Sequence, residues 1–426
     1  MSDSPCKPGW EERSLSSLAQ YLNGRAFRKD EWGEEGLPII RIEQINDLST
    51  MNDRYEGSVL PRNQIDDGDL VFSWSATLKV VVWKGGPAAL NQHLFKVVPN
   101  ADVDGPFLKH FLDMNMERLA ASSQGSTMKH VTRSALERHR ACVPTKKIEQ
   151  HRIARILSTV DEAIEGTEKL IAKHQQIKAG LMHDLFTRGL TPDGKLRPPH
   201  TECPSLYKDS PLGPIPKEWD LVELQHLLAG RPRNGFSPVE VSQWDGVYSL
   251  GLGCLTVNGF RPRQLKYVPE DSQSVKGALL HDGDFLLSRS NTRALVGLCG
   301  IYNDVGEPCI YPDLMMRLRT NGRLANELLE AILLTPLMRR QITAAAVGTS
   351  GSMVKLNASS VKSLDVAVPE EREQPMILSM VKSIQADLGC LEDDAEKLGE
   401  MKRGLMHDLL TGEVEVSLAR DPEVTA

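Results

Sequence analysis

Two long segments of the chain carry apolar or small residues at alternating intervals of four and three positions. The first series is Ile153, Leu157, Val160, Ile164, Thr167, Ile171, His174, Lys178, Leu181 and Leu185, in which three positions are polar. The second series is Ile377, Val381, Ile384, Leu388, Leu391, Ala395, Leu398, Lys402, Leu405 and Leu409. A mean spacing of about 3.5 residues is typical of helices that supercoil around a partner. We therefore predict two helices, each on the order of 50 Å long, that pair antiparallel with each other.

Outside these segments, short apolar runs bounded by Gly, Asp and Asn predict strands. The runs cover residues 70–72, 80–83, 285–287 and 314–318. Longer periodic stretches at 106–121 and 325–346 predict short helices. Together these patterns predict two globular α+β domains, each with a twisted and largely antiparallel sheet.

The chain also contains an internal repeat. The hexapeptide GLMHDL occurs at 180–185 and again at 404–409. Four further pairs fall in the same order, separated by 209 to 225 residues: Pro144 with Pro369, Met128 with Met353, the Asp-Gly-Asp turns at 67–69 and 282–284, and Trp10 with Trp219. This order predicts a duplicated unit with different loop insertions, hence a pseudo-twofold molecule suited to a two-part target.

The repeat and a composition change divide the chain into six predicted parts. A stretch rich in Pro and Gly separates the first long helix from the second globular domain and predicts a linker. The predicted parts are a first globular domain at 1–150, a central helical region at 151–190, a linker at 191–205, a second globular domain at 206–370, a distal helical region at 371–416 and a tail at 417–426.

Composition and charge narrow the class of protein. The net charge is -7, and residues 370–426 account for most of the acid excess with 6 Lys and Arg against 14 Asp and Glu. The globular domains are thus close to neutral and can still carry a basic face. The polar, proline-containing start and the lack of a long apolar run predict a cytoplasmic protein. Seven scattered cysteines make a disulfide framework and structural zinc unlikely.

Catalytic motifs are missing from the sequence. It has no phosphate-binding GxxxxGK loop, no dinucleotide turn and no motif of an amino-group methyltransferase. His183 and His407 each stand beside one Asp only, too few ligands for a metal site. Gly180 and Gly404, inside the predicted helices, cost helix stability and predict close approach of another helix or subunit. We expect a chain that binds and positions but does not catalyse.

These features resemble the DNA specificity subunits of type I restriction-modification systems, over nearly the whole chain. The motifs that carry the resemblance are PGW at 8–10, IPKEW at 215–219, the Asp-Gly-Asp turns, the small-residue stretches at 125–127 and 350–352, the proline before each long helix, and the helix ends GLMHDLFT at 180–187 and GLMHDLLTGEV at 404–414.

The resemblance implies two target-recognition domains, each recognising one half of a bipartite target in double-stranded DNA, with the helices fixing the spacer between the halves. It implies two methyltransferase subunits that dock on the helical regions, and restriction and translocase subunits in the complete complex. S-adenosylmethionine would be bound by the methyltransferase partner, and ATP and Mg by the restriction partner, so no cofactor is expected on this chain. The expected subunit-docking residues are Gly180, Leu181, Met182, Leu185, Gly404, Leu405, Met406 and Leu409.

Candidate DNA contacts follow from side-chain chemistry, because Arg pairs with guanine, Asn with adenine, and Ser, Thr and Lys with phosphates. In the first domain they are Arg25, Arg28, Lys29, Ser73, Thr77, Lys79, Lys129 and His130. In the second domain they are Arg231, Arg233, Asn234, Arg261, Arg263, Ser288, Arg289, Ser290, Asn291, Arg293 and Lys355. The strongest single prediction is the loop 288–293, which follows the second Asp-Gly-Asp turn.

Two other functions are compatible with parts of the sequence. A coiled-coil scaffold that joins protein partners would explain the near-neutral globular domains. An enzyme with a dispersed active site, such as a nuclease, would require activity from the chain alone. The duplication, the two heptad helices and the missing catalytic motifs together favour DNA recognition over both.

Overall fold

The computed structural model describes residues 6–46, 50, 53–75, 77–121, 130–269, 273–348 and 353–416. The chain forms two compact units. Unit 1 comprises Met1–Leu170 and Glu392–Ala426, and unit 2 comprises Ile171–Leu391. The boundaries fall inside the two long helices, so each unit combines one globular region with parts of both helices.

Unit 1 contains ten described strands and three described short helices. The strands are β1 (Trp10–Ser14), β2 (Ala19–Asn23), β3 (Leu37–Ile40), β4 (Arg54–Tyr55), β5 (Gln64–Ile65), β6 (Leu70–Ser73), β7 (Lys79–Val82), β8 (Ala88–Leu90), β9 (Leu94–Pro99) and β10 (Arg140–Pro144). The helices are α1 (Ile42–Asn46), α2 (Gly105–Ala121) and α3 (Arg133–Arg138).

The strands of unit 1 form two four-stranded sheets and a two-stranded frame. One sheet has the order β2-β9-β6-β7 and is antiparallel throughout, and the other has the order β4-β3-β8-β5 and contains one parallel pair, β3 with β8. The frame is β1 with β10, in register from Trp10 opposite Pro144. Helix α2 covers the first sheet and buries Phe107 and Phe111 in the main core.

Unit 2 contains fifteen described strands and four described short helices. The strands are β11 (Tyr207–Lys208), β12 (Ile215–Pro216), β13 (Asp220–Glu223), β14 (Arg233–Asn234), β15 (Gly246–Leu250), β16 (Leu255–Thr256), β17 (Gly259–Phe260), β18 (Leu265–Pro269), β19 (Phe285–Ser288), β20 (Ser290–Asn291), β21 (Cys299–Ile301), β22 (Cys309–Ile310), β23 (Met315–Leu318), β24 (Val354–Lys355) and β25 (Asp365–Val368). The helices are α5 (Gln273–Ala278), α6 (Asn326–Leu333), α7 (Pro336–Ala345) and α8 (Ala358–Lys362).

Unit 2 repeats the topology of unit 1. Its four-stranded sheet β14-β23-β19-β21 corresponds to β2-β9-β6-β7, and its sheet β18-β15-β22 again contains one parallel pair, β15 with β22. The frame is β13 with β25, in register from Asp220 opposite Val368. The turns Asp67-Gly68-Asp69 and Asp282-Gly283-Asp284 precede equivalent central strands, and both glycines have positive φ, at 90° and 84°. The predicted α+β fold and internal repeat are therefore present.

The two long helices are α4 (Lys147–Thr187) and α9 (Gln374–Thr411), which begin four residues before and three residues after the predicted starts of the helical regions. Every residue of both predicted apolar series is buried or half-buried, including the polar members Lys178 and Lys402. The heptad pattern thus identified the inward faces of both helices.

Within unit 1, the first part of α4 lies beside the last part of α9. The Asp161 carboxylate bonds Lys402 of α9 at 2.6 Å and Lys109 of α2 at 2.9 Å. Nearer the start of α4, Glu149 accepts a hydrogen bond from Trp10 at 2.9 Å, and Lys7 donates to the Gly412 carbonyl at 2.9 Å. Since the start of α4 and the end of α9 share these neighbours, the two segments run antiparallel.

Within unit 2, the start of α9 meets the end of α4 through one buried carboxylate. Glu373, 3% exposed, accepts hydrogen bonds from Arg197 at 2.8 Å, from the Trp219 indole at 2.8 Å and from the Leu190 backbone N–H. Arg197 belongs to the predicted linker 191–205, and this contact ties that segment to the residue before α9.

One expectation from the sequence is wrong. A disulfide joins Cys6 to Cys142 and ties the segment before β1 to the strand that leads into α4. The pairing escaped sequence analysis because the partners are 136 residues apart and only the β1–β10 frame brings them together. A side-chain carbon at Gly180 or Gly404 would have no atom of the described residues within 4 Å, so the predicted close approach is not made by a helix of this chain, and approach by another subunit stays a prediction.

Candidate nucleic-acid interface

The first candidate interface, called loop patch 1, consists of residues 73–75 and 77–79, from the end of β6 to the start of β7, together with His130. An isolated bridge pairs Ser75 with His130, and the Trp74 and His130 rings lie 5.9 Å apart. Thr77 and Lys79 are exposed, and the Lys79 ammonium is 3.4 Å from the Asn46 amide oxygen. Exposed cationic and hydroxyl groups beside aromatic rings form a surface suited to phosphates and bases.

The equivalent surface in unit 2, called loop patch 2, consists of residues 288–293 together with Lys355. Strand β20 pairs with β24, which places Ser290 opposite Lys355. The Arg289 carbonyl accepts the Leu356 N–H at 2.8 Å, and the Arg289 guanidinium donates to the Asp313 carbonyl at 3.2 Å. Arg293 and Lys355 are exposed, so their charges face solvent.

The two loop patches are the same construction in the two copies. In both, the segment after the central strand of the larger sheet pairs with a residue that lies after the adjacent helices, Ser75 with His130 and Ser290 with Lys355. The sequence separated these residues into unrelated candidates, whereas the fold joins them at one end of each sheet. Each unit thus presents one polar, partly cationic loop surface.

Burial removes three candidates from direct contact with DNA. Ser73, Ser288 and Ser290 are at most 1% exposed, because each belongs to or adjoins a buried strand. The Ser288 and Ser290 hydroxyls have no hydrogen-bond partner within the described part of the chain. These three predicted contacts are therefore corrected, and Lys129 lies outside the described residues.

The remaining candidates lie at several places on the two units. Arg28, Lys29, Arg231, Arg233, Asn234 and Arg263 are exposed, and Arg25, Arg261 and Asn291 are half-buried. Arg25 forms an ion pair with Glu31 and is stacked over Tyr55. Strand β14 (Arg233–Asn234) is followed by Ser237, whose hydroxyl donates to the Asp313 carboxylate. Because the Arg289 guanidinium donates to the Asp313 carbonyl, β14 lies on the Arg289 side of loop patch 2.

A group of arginines next to loop patch 2 was not identified from the sequence. Arg293, Arg339 and Arg340 line a cavity of about 450 Å³ at α7. Arg339 donates to the Ala294 carbonyl at 3.0 Å, and burial lowers the pKa of its guanidinium. The adjacent Arg339 and Arg340 stand on a predicted helix and could have been noted there. Nothing in the sequence places them beside Arg293, 46 residues earlier.

The predicted docking residues divide by burial. Met182 and Leu185 lie in the core of unit 2, and Leu409 lies in the core of unit 1. Leu181, Leu405 and Met406 are half-buried and pack against those cores. Only Gly180 and Gly404 of the predicted set are exposed.

The described residues provide no cluster of His, Cys, Asp or Glu that could hold a metal ion. His183 and His407 are exposed, and the hydroxyls of Thr187 and Thr411 bond their carbonyls at 2.7 and 2.6 Å. These histidines occupy equivalent positions near the helix ends. None of the described helices combines the length and the apolar character that crossing a membrane requires.

Two similar folds joined by long helices, each with one polar loop surface, define a protein class with two recognition units. A family model for the type I restriction modification DNA specificity domain matches residues 7–176. The chain is 22% identical to the type I restriction enzyme MjaVIII specificity subunit of Methanocaldococcus jannaschii, covering 96% of this chain and 93% of that protein. It is 24% identical to the putative MjaX specificity subunit of the same organism, over 96% and 94% of the two chains.

A solved structure, the S subunit of a type I restriction-modification system from M. genitalium, has the same fold with a TM-score of 0.56. It covers 98% of this chain and 99% of its own, at 14% identity. These findings confirm the resemblance seen in the sequence. Residues 7–176 match the type I restriction modification DNA specificity domain, and the chain is similar to specificity subunits of these systems along nearly its whole length.

Proposed function

We propose that this chain recognises a bipartite DNA sequence for a type I restriction-modification complex. The observation that carries the proposal is the repeated loop patch, because two equivalent surfaces with different side chains suit two different half-sites. Loop patch 1 offers Thr77, Lys79 and His130, whereas loop patch 2 offers Arg289, Asn291 and Arg293. Different donor and acceptor sets recognise different bases.

In this proposal α4 and α9 fix the number of base pairs between the half-sites. The partners are two methyltransferase subunits and the restriction and translocase subunits. The chain itself binds no cofactor, and S-adenosylmethionine, ATP and Mg are held by those partners. The exposed helix residues Ile156, Leu170 and Ile177, spaced in multiples of seven, support docking of partner helices better than the buried GLMHDL side chains do. The complex acts on DNA in the cytoplasm.

The experiment that tests the proposal is co-expression with an adenine methyltransferase encoded beside this chain, followed by mapping of methylated adenines across the host genome. We expect a bipartite motif with a gap of fixed length that disappears when this chain is omitted. A stable complex that methylates nothing would refute the proposal and favour the scaffold, and cleavage or methylation by the chain alone would favour the enzyme.

A further inference from the structure

Unit 1 contains a cavity whose lining residues were not predicted together as DNA contacts. Its volume is about 760 Å³, within the usual range of ligand sites. It is called the arginine cavity here, and the side chains that matter are those of Asn23, Arg25, Tyr55, Arg62, Asn63 and Arg133. Asn23 ends β2 and Arg25 follows it, whereas the others come from β4, the turn before β5 and α3, so only the fold brings them together.

The arginine cavity is a site for an anion. Three of its lining residues are arginines, and its lining contains no Asp or Glu. Arg25 is partly neutralised by Glu31 outside the lining. Arg62 is exposed and makes no hydrogen bond or ion pair with a described residue. Guanidinium groups bind phosphate oxygens with two parallel hydrogen bonds, which makes phosphate the anion they fit best.

Two of the arginines are already oriented. The Arg25 guanidinium stacks 4.5 Å from the Tyr55 ring and 5.1 Å from the Phe27 ring. One terminal nitrogen of Arg133 donates to the Asn23 amide oxygen at 2.8 Å and to the Tyr21 carbonyl at 3.0 Å. Groups held in place before binding lose less conformational entropy when a ligand arrives. The cavity therefore presents a partly preorganised phosphate clamp.

The neighbourhood of the cavity favours a polymer over a small molecule. Arg28 and Lys29 are exposed and continue the positive charge along the chain from Arg25. The rim residue Leu60 is 56% exposed, which leaves the cavity open at that side. A long phosphate chain would occupy both the cavity and the adjoining cations.

The same place in unit 2 was already a predicted DNA contact. Asn23 ends β2, and the glycine after it packs against the Asn91 carbonyl; Asn234 ends β14, and the glycine after it packs against the Tyr311 carbonyl. The two asparagines are therefore equivalent in the repeat. The exposed arginine at this strand end is Arg62 in unit 1, whose neighbour Asn63 donates to the Asn23 carbonyl, and Arg233 in unit 2.

We propose that the arginine cavity receives a backbone phosphate of double-stranded DNA with its attached sugar, and that Arg62 and Arg133 are DNA-contact residues of unit 1. This inference rests on the proposed function, because it assumes that unit 1 lies on DNA. It adds contacts on the strand ends to those of loop patch 1.

The test compares the full chain, in complex with its methyltransferase partner, carrying Arg62→Ala or Ser58→Trp. The first change removes a cation that stabilises no described contact, and the second fills the cavity without changing charge. Arg138→Ala is the matched control, because Arg138 is an exposed arginine at the end of α3 outside the cavity lining. Duplex affinity is measured by fluorescence anisotropy at several salt concentrations.

We expect Arg62→Ala to weaken binding roughly tenfold on every duplex and to reduce the slope of log K against log salt by about 1. Ser58→Trp should weaken binding similarly, and Arg138→Ala should stay within about twofold of the unaltered complex. Thermal unfolding of each variant separates lost binding from lost folding.

Three results would overturn parts of the argument, and they are distinguishable. If the unaltered complex binds no DNA, the proposed function fails. If it binds DNA and both cavity variants bind equally well, the cavity inference alone fails. The third result comes from a titration with deoxyadenosine monophosphate. In that case the free nucleotide binds and Arg62→Ala abolishes its binding, but the affinity for DNA is unchanged. The cavity would then be a site for a free nucleotide.

Discussion

At the scale of single residues, Glu330 of α6 is a carboxyl group whose ionisation is coupled to folding. Burial raises its pKa to about 7, and the cations Lys178 and Arg261 together with the Ile301 N–H oppose this shift. Glu327 adds to the upward shift. The protonated form is favoured in the folded state, so the stability it contributes is complete below the unfolded pKa and is lost as pH rises through about 7.

We therefore predict that raising the pH from 5 to 8 lowers the free energy of unfolding of unit 2, and that Glu330→Gln removes much of this difference. The measurement is urea unfolding at both pH values, followed by the fluorescence of the buried Trp219. Glu307→Gln is the control, because Glu307 is an exposed carboxyl group of the same unit. An unchanged pH difference in Glu330→Gln would contradict the prediction.

The repeat places two glutamates in equivalent roles with different surroundings. Glu149 is half-buried and accepts one hydrogen bond, from the Trp10 indole at 2.9 Å. Glu373 is buried and is bonded by the Trp219 indole at 2.8 Å and by Arg197. Loss of one partner from a buried ion pair leaves an uncompensated charge. Loss of the half-buried Glu149 removes one hydrogen bond and leaves no such charge.

Glu373→Ala should accordingly cost about 3 to 5 kcal/mol, because it leaves the buried Arg197 guanidinium with only the half-exposed Glu218 carboxylate, 3.8 Å away. Glu149→Ala should cost about 1 kcal/mol, the contribution of an ordinary hydrogen bond. Differential scanning calorimetry of the full chain would show a larger drop in Tm for the first variant. Equal drops would mean that the Arg197 pair contributes nothing beyond the indole bond.

Arg289 is the residue of loop patch 2 whose replacement tests base recognition. Its guanidinium is half-buried and is held by the Asp313 carbonyl, so it is oriented before DNA arrives. Arg289→Ala should relax discrimination at one half-site by about 1 to 3 kcal/mol and leave the other half-site unchanged. Methylation mapping with the variant measures this, with Arg319→Ala as an exposed control. Uniform loss on all sequences would assign Arg289 to phosphate contact.

At the scale of elements, the polar members of the helical series explain how each long helix is held. Lys402 bonds Asp161, whereas its repeat equivalent Lys178 bonds the Asn258 amide oxygen at 3.0 Å. Each lysine thus contacts a polar group within its own unit. These two lysines of the heptad pattern therefore have defined polar partners.

Insertion of one heptad after Ala172 of α4 and another after Cys390 of α9 should lengthen both helices without changing the phase of their buried faces. Seven residues add about 10 Å, equivalent to about 3 base pairs at 3.4 Å each. Methylation mapping should then show a motif whose gap is longer by about that number, with unchanged half-sites. Inserting four residues in α4 alone breaks the phase and serves as a folding control. An unchanged gap would show that the helices do not set the spacing.

At the scale of the whole molecule, the two units have the same topology, and each unit has its own pair of frame strands. The β1–β10 frame brackets the first globular region, and the β13–β25 frame brackets the second. Because both frames lead into a long helix through the same strand order, the segments between them are interchangeable in principle.

Exchange of residues 15–139 with residues 224–364 should therefore produce a complex that methylates the same two half-sites in reversed order. The expected motif follows because recognition resides in the loop patches and spacing in the helices. Mapping of methylated adenines measures the result, and the complex must first be shown to assemble. A stable complex whose motif is unchanged would place recognition outside the exchanged segments.

The sequence by itself determined the long helices, their inward faces, the duplication and the related family. These properties are local or periodic, so spacing of residues such as Ile153, Leu157 and Val160 is sufficient to reveal them. The domain boundaries and the DNA contacts of the accessible candidates remain predictions from the sequence.

Only the tertiary structure decided which polar and apolar side chains face solvent. Ser288 is polar in sequence but buried, because β19 is a central strand covered on both faces. Leu409 is in the docking hexapeptide but lies in a core, and Arg62 and Arg133 meet at one cavity although 71 residues separate them. Burial and juxtaposition depend on contacts between distant segments, and no local pattern encodes them.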